Sequence, residues 1–209
     1  MAVTFDLFGT LVAVDRPADP AAAVARELRD RGVPVPDDWA SVYRERHVEA
    51  PPGTEVPLPD HVAAALGSRG VDASGNAVPL AVAAAFDPSV RTRDGAPAAV
   101  TAAADHGPVG VLSNVSVPGL ARRTLGRAAL DRDAFDAVVT SVDCGWRKPD
   151  RRAFEAAARA LGADLDGLVH VGDDERADGG AGAVGASAVL LADVSLAELP
   201  AWLAEREAP

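Results

Sequence analysis

Four short runs in this 209-residue chain carry the side chains that could do chemistry. Asp6 opens Asp6-Leu7-Phe8-Gly9-Thr10-Leu11. Ser113-Asn114 comes second and Arg147-Lys148-Pro149 third. Gly172-Asp173-Asp174 is fourth, with Asp178 five residues beyond Asp173. An aspartate can attack an electrophile directly as a nucleophile. Lys148 would neutralise that aspartate and the charge developing on an anionic substrate. Ser113, Asn114 and backbone amides near Gly9 would bind anionic oxygens. Asp6 and Asp173, with a backbone carbonyl, make a hard oxygen set suited to Mg²⁺, an ion that keeps several of its waters. The implied chemistry is attack by a carboxylate on an electrophile bearing negative charge.

Such residues act together only if the fold brings them to one edge. Five short apolar segments precede or adjoin the runs: Val3 to Phe8, Val109 to Leu112, Val138-Val139, Leu168 to Val171 and Ala188 to Leu191. Each is rich in Val or Leu and ends in Gly, Ser, Asn or Asp, the pattern of fully buried strands in a parallel sheet. Ala-rich stretches of helical spacing lie between them: Pro97 to His106, Val117 to Leu130, Arg151 to Leu161 and Ala177 to Val184. Ser195 to Glu205 closes the series, with Ser195 as its N-cap. Strand alternating with helix predicts an α/β fold, a doubly wound parallel sheet of Rossmann-like form. Ligands of such sheets bind beyond the carboxyl ends of the strands, where the four runs fall.

One interval breaks the alternation. Residues 15–90 hold no strand candidate but four helix-like stretches, Pro20 to Arg31, Asp37 to Val48, Leu58 to Ser68 and Pro79 to Phe86, joined by Pro- and Gly-rich links. The expected organisation is a core of residues 1–14 and 91–209 with a small inserted all-helical domain over 15–90.

Composition sets how much each residue type can say. The chain has 45 Ala, 22 Asp against 9 Glu, 19 Arg, one Lys and two Asn, and a net charge of -11. So anionic a surface opposes nucleic acid and anionic lipid as partners. One Cys excludes an internal disulfide framework and a Cys-based zinc site. No apolar run reaches the length that spans a bilayer, and the N-terminus lacks the basic start of a signal peptide, so a cytoplasmic protein is expected. The Asp excess fits a high-salt, halophilic cytoplasm, where surface carboxylates hold water. Against that background a carboxylate says little, whereas the only lysine, at position 148, and one of two asparagines, at 114, say much. A compact ammonium retained among 19 arginines suits a crowded anionic site that a guanidinium would not fit.

The order D-x-x-G-T-L, then L-S-N, then K-P, then G-D-D-x-x-x-D resembles the four motifs of the haloacid dehalogenase superfamily. Motifs and strand rhythm cover the chain from Val3 to Leu191, and the helical insert lies where that superfamily carries a helical cap. The run Gly145-Trp146-Arg147-Lys148-Pro149-Asp150 is similar to that of its phosphatase-like branch. The resemblance implies a hydrolase in which Asp6 is the nucleophile and Thr10, Ser113, Asn114 and Lys148 hold the transferred group. It implies Mg²⁺ held by Asp6, the Phe8 carbonyl, Asp173 and Asp174, with Asp178 orienting metal-bound water or Lys148. The leading expectation is a phosphatase of a small phosphorylated metabolite, working as a monomer or homodimer on a small anionic substrate.

One position departs from the pattern. The superfamily's phosphatases carry a general acid and base two residues after the nucleophile, where this chain has Phe8; losing such a group costs about 10²–10⁴-fold in rate. The superfamily's 2-haloacid dehalogenases also lack it, because halide leaves without a proton, but they need no metal and carry Ser and Asn where this chain has Asp173 and Glu175. A dehalogenase is therefore the alternative, and a catalytically weak binding protein a third reading. For substrate contacts, Gly9 supplies backbone, and Arg44 and His47, three apart on the helix predicted over 37–48, would share a face that could present a cation. Pairing of that face with Glu45 and Glu49 in solvent is the competing reading. Cys144, with no His near it in sequence, reads as passive, and His106 and His170 as incidental.

Overall fold

The computed structural model describes residues 1–207. Its centre is a five-stranded, all-parallel sheet of β1 (Ala2–Phe5), β4 (Val109–Ser113), β5 (Ala137–Thr140), β6 (Leu168–Gly172) and β7 (Ser187–Leu190), in the order β5-β4-β1-β6-β7. The chain winds outward from β1 through β4 to β5, then crosses to β6 on the other side of β1. The order thus reverses beside β1, and the crevice past the ends of β1, β4 and β6 is where such a sheet binds its ligand. All five predicted strands are present, within three residues of their expected limits.

The strands alternate between two covered faces, as a pleated strand must. Val3, Phe5, Val109, Val111, Val169 and Val171 point to one face, covered by α5 (Ala96–His106) and α10 (Leu199–Glu207). Ala2, Leu112 and Leu168 point to the other, covered by α8 (Arg151–Ala160) and α9 (Gly180–Ala183). The helix α8 forms because Asp150 accepts a hydrogen bond from the Arg152 amide at 2.9 Å and Ala153, Phe154, Ala157 and Ala158 make one buried stripe. Thr4 and His170, paired in register across β1 and β6, put two polar side chains into that second face, both buried.

Between β1 and β4, the short strands β2 (Val12–Val14) and β3 (Val90–Thr92) pair antiparallel, Val14 opposite Val90, and close the base of the helical segment. The sequence patterns gave no sign of this pair. The segment holds α1 (Pro20–Asp30), α2 (Trp39–Val42), α3 (Leu58–Gly67) and α4 (Ala77–Ala85), which share a separate apolar cluster including Val24, Leu28, Trp39, Val62, Leu66 and Val82.

Four helices are shorter than expected by two residues or more, α9 among them, which covers only Gly180–Ala183 of the stretch 177–184. α2 ends at Val42 rather than 48, where the backbone tightens into a turn, the Arg44 amide bonding the Ser41 carbonyl and the Glu45 amide the Val42 carbonyl. The stretch 117–130 forms only α6 (Leu120–Leu125), held back by Gly119 in a left-handed conformation at φ 73°. Ser195 does not cap α10 directly. Its hydroxyl and amide bond the Glu198 carboxylate in a preceding turn, and the helix proper starts at Leu199.

Candidate active site

Asp6 follows β1 directly, its amide bonded to the Val171 carbonyl at 2.8 Å, so its side chain stands at the switch in strand order, only 8% exposed. Lys148 reaches the same point from the loop after α7 (Ser141–Cys144). Its ammonium donates to Asp6 Oδ1 at 2.8 Å, Asp178 Oδ1 at 2.6 Å and the Leu112 carbonyl at 2.7 Å. These three acceptors use all three of its protons. Burial pushes the Asp6 carboxyl above the usual carboxylate range. Lys148 pulls it down, Asp178 pushes it up further, and a hydrogen bond from Ser113 helps the ionised form.

Asn114 has a different place from the one expected. Its amide donates to the Lys148 carbonyl at 2.9 Å and its oxygen accepts from the Lys148 amide at 2.8 Å. Both polar ends engage the lysine's backbone, and the second hydrogen of the Asn114 amide is the donor it has left for a ligand.

His170 corrects the expectation that it is incidental. It is fully buried, with Nε2 3.0 Å from Asp178 Oδ1, Nδ1 2.9 Å from the Thr4 hydroxyl, and its ring edge-on to Phe154. Burial and the neighbouring ammonium lower its pKa to about 4, so the ring is neutral near pH 7. Because the lysine protons are already placed, the assignment that satisfies every group puts the ring hydrogen on Nε2, donating to Asp178, while Nδ1 accepts from Thr4. The signal lay in the sequence: His170 interrupts an apolar strand two residues before Gly172, facing the same way as Thr4.

The acidic run divides its labour. Asp173 is exposed toward the site, its Oδ1 accepting from the Thr10 hydroxyl at 2.7 Å. Thr10, expected to help hold the transferred group, is fully buried with its hydroxyl on Asp173. Gly9, at φ 99°, makes room, since a Cβ there would stand 2.4 Å from Asp173 Oδ2. Asp174 Oδ1 accepts from the Arg176 and Ala177 amides, so that oxygen braces its own loop and Asp174 stays outside the acidic group. Asp178 takes the expected place beside Lys148. Gly172 admits it, since a Cβ there would fall 2.1 Å from its carboxyl carbon.

Asp6, Asp173 and Asp178 each bring a carboxylate oxygen to within 4.8 Å of the others. Asp178 Oδ1 is taken by Lys148 and His170, and its Oδ2 accepts from the Asp174 amide at 2.9 Å. The oxygens left for a cation belong to Asp6 and Asp173. Three carboxylates against one ammonium, with His170 neutral, leave an excess of negative charge that a hard divalent ion fits.

Phe8, two residues past Asp6, and Asn114 border a cavity of about 470 Å³ walled mostly by apolar side chains, Val14, Leu58, Phe86 and Leu120 among them. Its cation is Arg16 and its phenol Tyr43, neither singled out by the sequence. Arg44 and His47 do not line it, because the helix that would have given them a common face ends at Val42. Cys144 is a raised, half-buried thiol bonded to the Trp146 carbonyl, consistent with a passive residue.

The family model of haloacid dehalogenase-like hydrolases matches residues 1–185. Among solved structures, the chain is similar to a 2-haloacid dehalogenase from Pseudomonas syringae pv. Tomato, 25% identical over 98% of each chain with a TM-score of 0.67. An L-2-haloacid dehalogenase from Xanthobacter autotrophicus with chloropropionic acid covalently bound is 21% identical over all of this chain and 84% of that one, TM-score 0.56. A predicted phosphoglycolate phosphatase from Haemophilus somnus is 16% identical over 88% and 82%, TM-score 0.53. No curated protein matches the sequence.

Proposed function

The chain belongs to the haloacid dehalogenase-like hydrolases, and on that premise we propose that it is a Mg²⁺-dependent phosphatase of a small phosphorylated metabolite. The observation that carries the reading is the placement of Asp173: held by Thr10, admitted by Gly9, and within 4.8 Å of Asp6. A carboxylate aimed there would repel any anionic substrate and hinder attack by Asp6 unless a cation stood between them. Asp6, Asp173 and the Phe8 carbonyl would hold that cation. When bound, the ion supplies charge neutralisation for Asp6 and for the oxygens of the phosphoryl group.

The chain's own residues then have distinct tasks. Asp6 attacks phosphorus to give an aspartyl-phosphate. Lys148 and Ser113 stabilise charge beside it. Asp178 and His170 hold the ammonium from behind, and Asn114 fixes its backbone. Helices α1 to α4 would cap the site, with the cavity at Phe8 receiving the rest of a small anionic substrate.

A second reading is a 2-haloacid dehalogenase, favoured by the likeness to the P. syringae enzyme and by Phe8. One set of assays in molar KCl separates the two: phosphate release with and without Mg²⁺, and chloride release from 2-chloropropionate, with Asp6→Asn as the control. Phosphate release that needs both Mg²⁺ and Asp6 is expected. Metal-independent chloride release without phosphate turnover would replace the first reading with the second.

A further inference from the structure

The wall that faces the leaving group has no acid to give it a proton. Phe8 occupies the position two residues after the nucleophile, and among the described residues no carboxyl or imidazole lines the cavity it borders. The ionisable groups on its walls are the Arg16 guanidinium and Tyr43, whose phenol burial and Asp19 make a weaker acid still. An alkoxide expelled into such a space would have to leave as a strong base, whereas a stabilised anion needs no proton. The walls restrict the choice further. A sugar or nucleoside would bring several hydroxyls against Val, Leu, Pro and Phe side chains, at the cost of unsatisfied hydrogen bonds. A short apolar chain ending in a carboxylate matches both the walls and the guanidinium.

Resting on the phosphatase reading, we propose that the substrate class is acyl phosphates with a short apolar acyl chain, the chain in the cavity and the departing carboxylate facing Arg16. In the first step an Asp6 oxygen forms a bond to phosphorus. The P–O bond to the acyl group breaks, and its electron pair leaves on the carboxylate. In the second, water attacks the phosphorus of the aspartyl-phosphate, the P–O bond to Asp6 breaks with its electron pair returning to the carboxylate, and both water protons leave on the product as dihydrogen phosphate. Neither step needs a donated proton for the leaving group, so Phe8 is suited to this substrate rather than a defect.

The test compares butyryl phosphate, p-nitrophenyl phosphate and butyl phosphate with the unmodified full chain, Mg²⁺ and molar KCl, corrected for spontaneous hydrolysis. Expected kcat/KM values for the first two exceed that for butyl phosphate by roughly 100-fold or more. Phe8→Asp is expected to narrow that gap by raising the butyl phosphate rate, and Arg16→Ala to lower kcat/KM more on butyryl phosphate than on the aryl ester. Butyl phosphate turned over within about tenfold of butyryl phosphate by the unmodified protein would overturn the proposal while leaving the phosphatase reading in place. Chloride release from 2-chloropropionate with none of the three phosphates turned over would overturn the reading itself, and the substrate class with it.

Discussion

Gly9 and Asp173 are sterically matched across 164 positions of sequence: a Cβ on residue 9 would lie 2.4 Å from the Asp173 carboxylate, and the glycine's φ of 99° is one that other residues resist. The chain therefore reserves space for this carboxylate beside Asp6. Gly9→Ala is expected to destabilise the fold by about 1–2 kcal/mol through its backbone conformation. It should also push Asp173 out of place, weakening Mg²⁺ activation. Asp173→Asn leaves Gly9 undisturbed and should keep its melting temperature while losing metal dependence. Mg²⁺ titrations of the rate, set beside thermal melts of both variants, check this, and unchanged metal dependence in both would remove Asp173 from the cation site.

Asn114 and Lys148 share two hydrogen bonds, both to the lysine backbone. Asn114→Ala frees that backbone without touching the ammonium, so the ammonium should drift from Asp6. A loss of about 10- to 100-fold in kcat with little change in KM is the expected result, since small misplacements carry penalties of that size. A raised KM with kcat intact would instead mean that Asn114 binds substrate. Steady-state kinetics on one phosphate substrate distinguishes the two.

His170 makes stability depend on pH. Burial and the Lys148 ammonium hold its pKa at about 4 in the folded chain, below the ordinary 6.5. Between these values the unfolded chain binds the proton and the folded chain does not. The contribution is complete above about pH 6.5 and is lost as pH falls toward 4, on the order of 3 kcal/mol in all. Asp178 adds to the loss below the ordinary carboxylate pKa. Burial raises it, but the hydrogen bond from His170 and the Lys148 charge together hold it well down. Asp6, raised by burial, works the other way. His170→Asn removes the first contribution and, with the ring, its hydrogen bond to Asp178, which affects the second only below the ordinary carboxylate pKa. Urea unfolding from pH 7 to 4.5 should show a steep fall in midpoint for the parent chain and a shallower one for the variant.

The strands and the four chemical runs were legible because both depend on local sequence: short Val- and Leu-rich segments for buried parallel strands, and scarce residue types at their ends. Lys148 stood out for the same reason, as the one lysine of an arginine-rich chain. What was hidden depends on pairing at a distance. Nothing near Thr10 shows that its hydroxyl faces Asp173, nor near Asn114 that it grips Lys148, 34 residues on. His170 looked like a strand residue because it is one; its role comes from Thr4 and Asp178, which only the sheet brings to it. Arg44 and His47 failed for the opposite reason. Helical spacing gave them a common face, but past Val42 the backbone closes on carbonyls three residues back, Arg44 to Ser41 and Glu45 to Val42, and the helix does not continue.

Glu55 ties the helical segment to the sheet next to Lys148. Its side chain is 3% exposed and accepts from the Ser141 hydroxyl at 2.5 Å and from Arg147 at 2.6 Å, while backbone bonds run from Glu55 to Gly145 and from Arg147 to Gly53. Ser141 in turn accepts from the Val115 amide, one residue past Asn114. A buried carboxylate in this position joins the link before α3 to both loops that carry site residues. Glu55→Ala breaks two hydrogen bonds to a charged group and should destabilise by about 2–3 kcal/mol. Glu55→Gln keeps an acceptor for Ser141 and should lose less. Arg127→Ala, which breaks an exposed pair with Asp87, is the control and should change nothing measurable. Limited proteolysis at the 46–57 link reads the local effect: faster cleavage in Glu55→Ala than in Arg127→Ala is expected. Equal cleavage would show that the backbone bonds alone hold the segment in place.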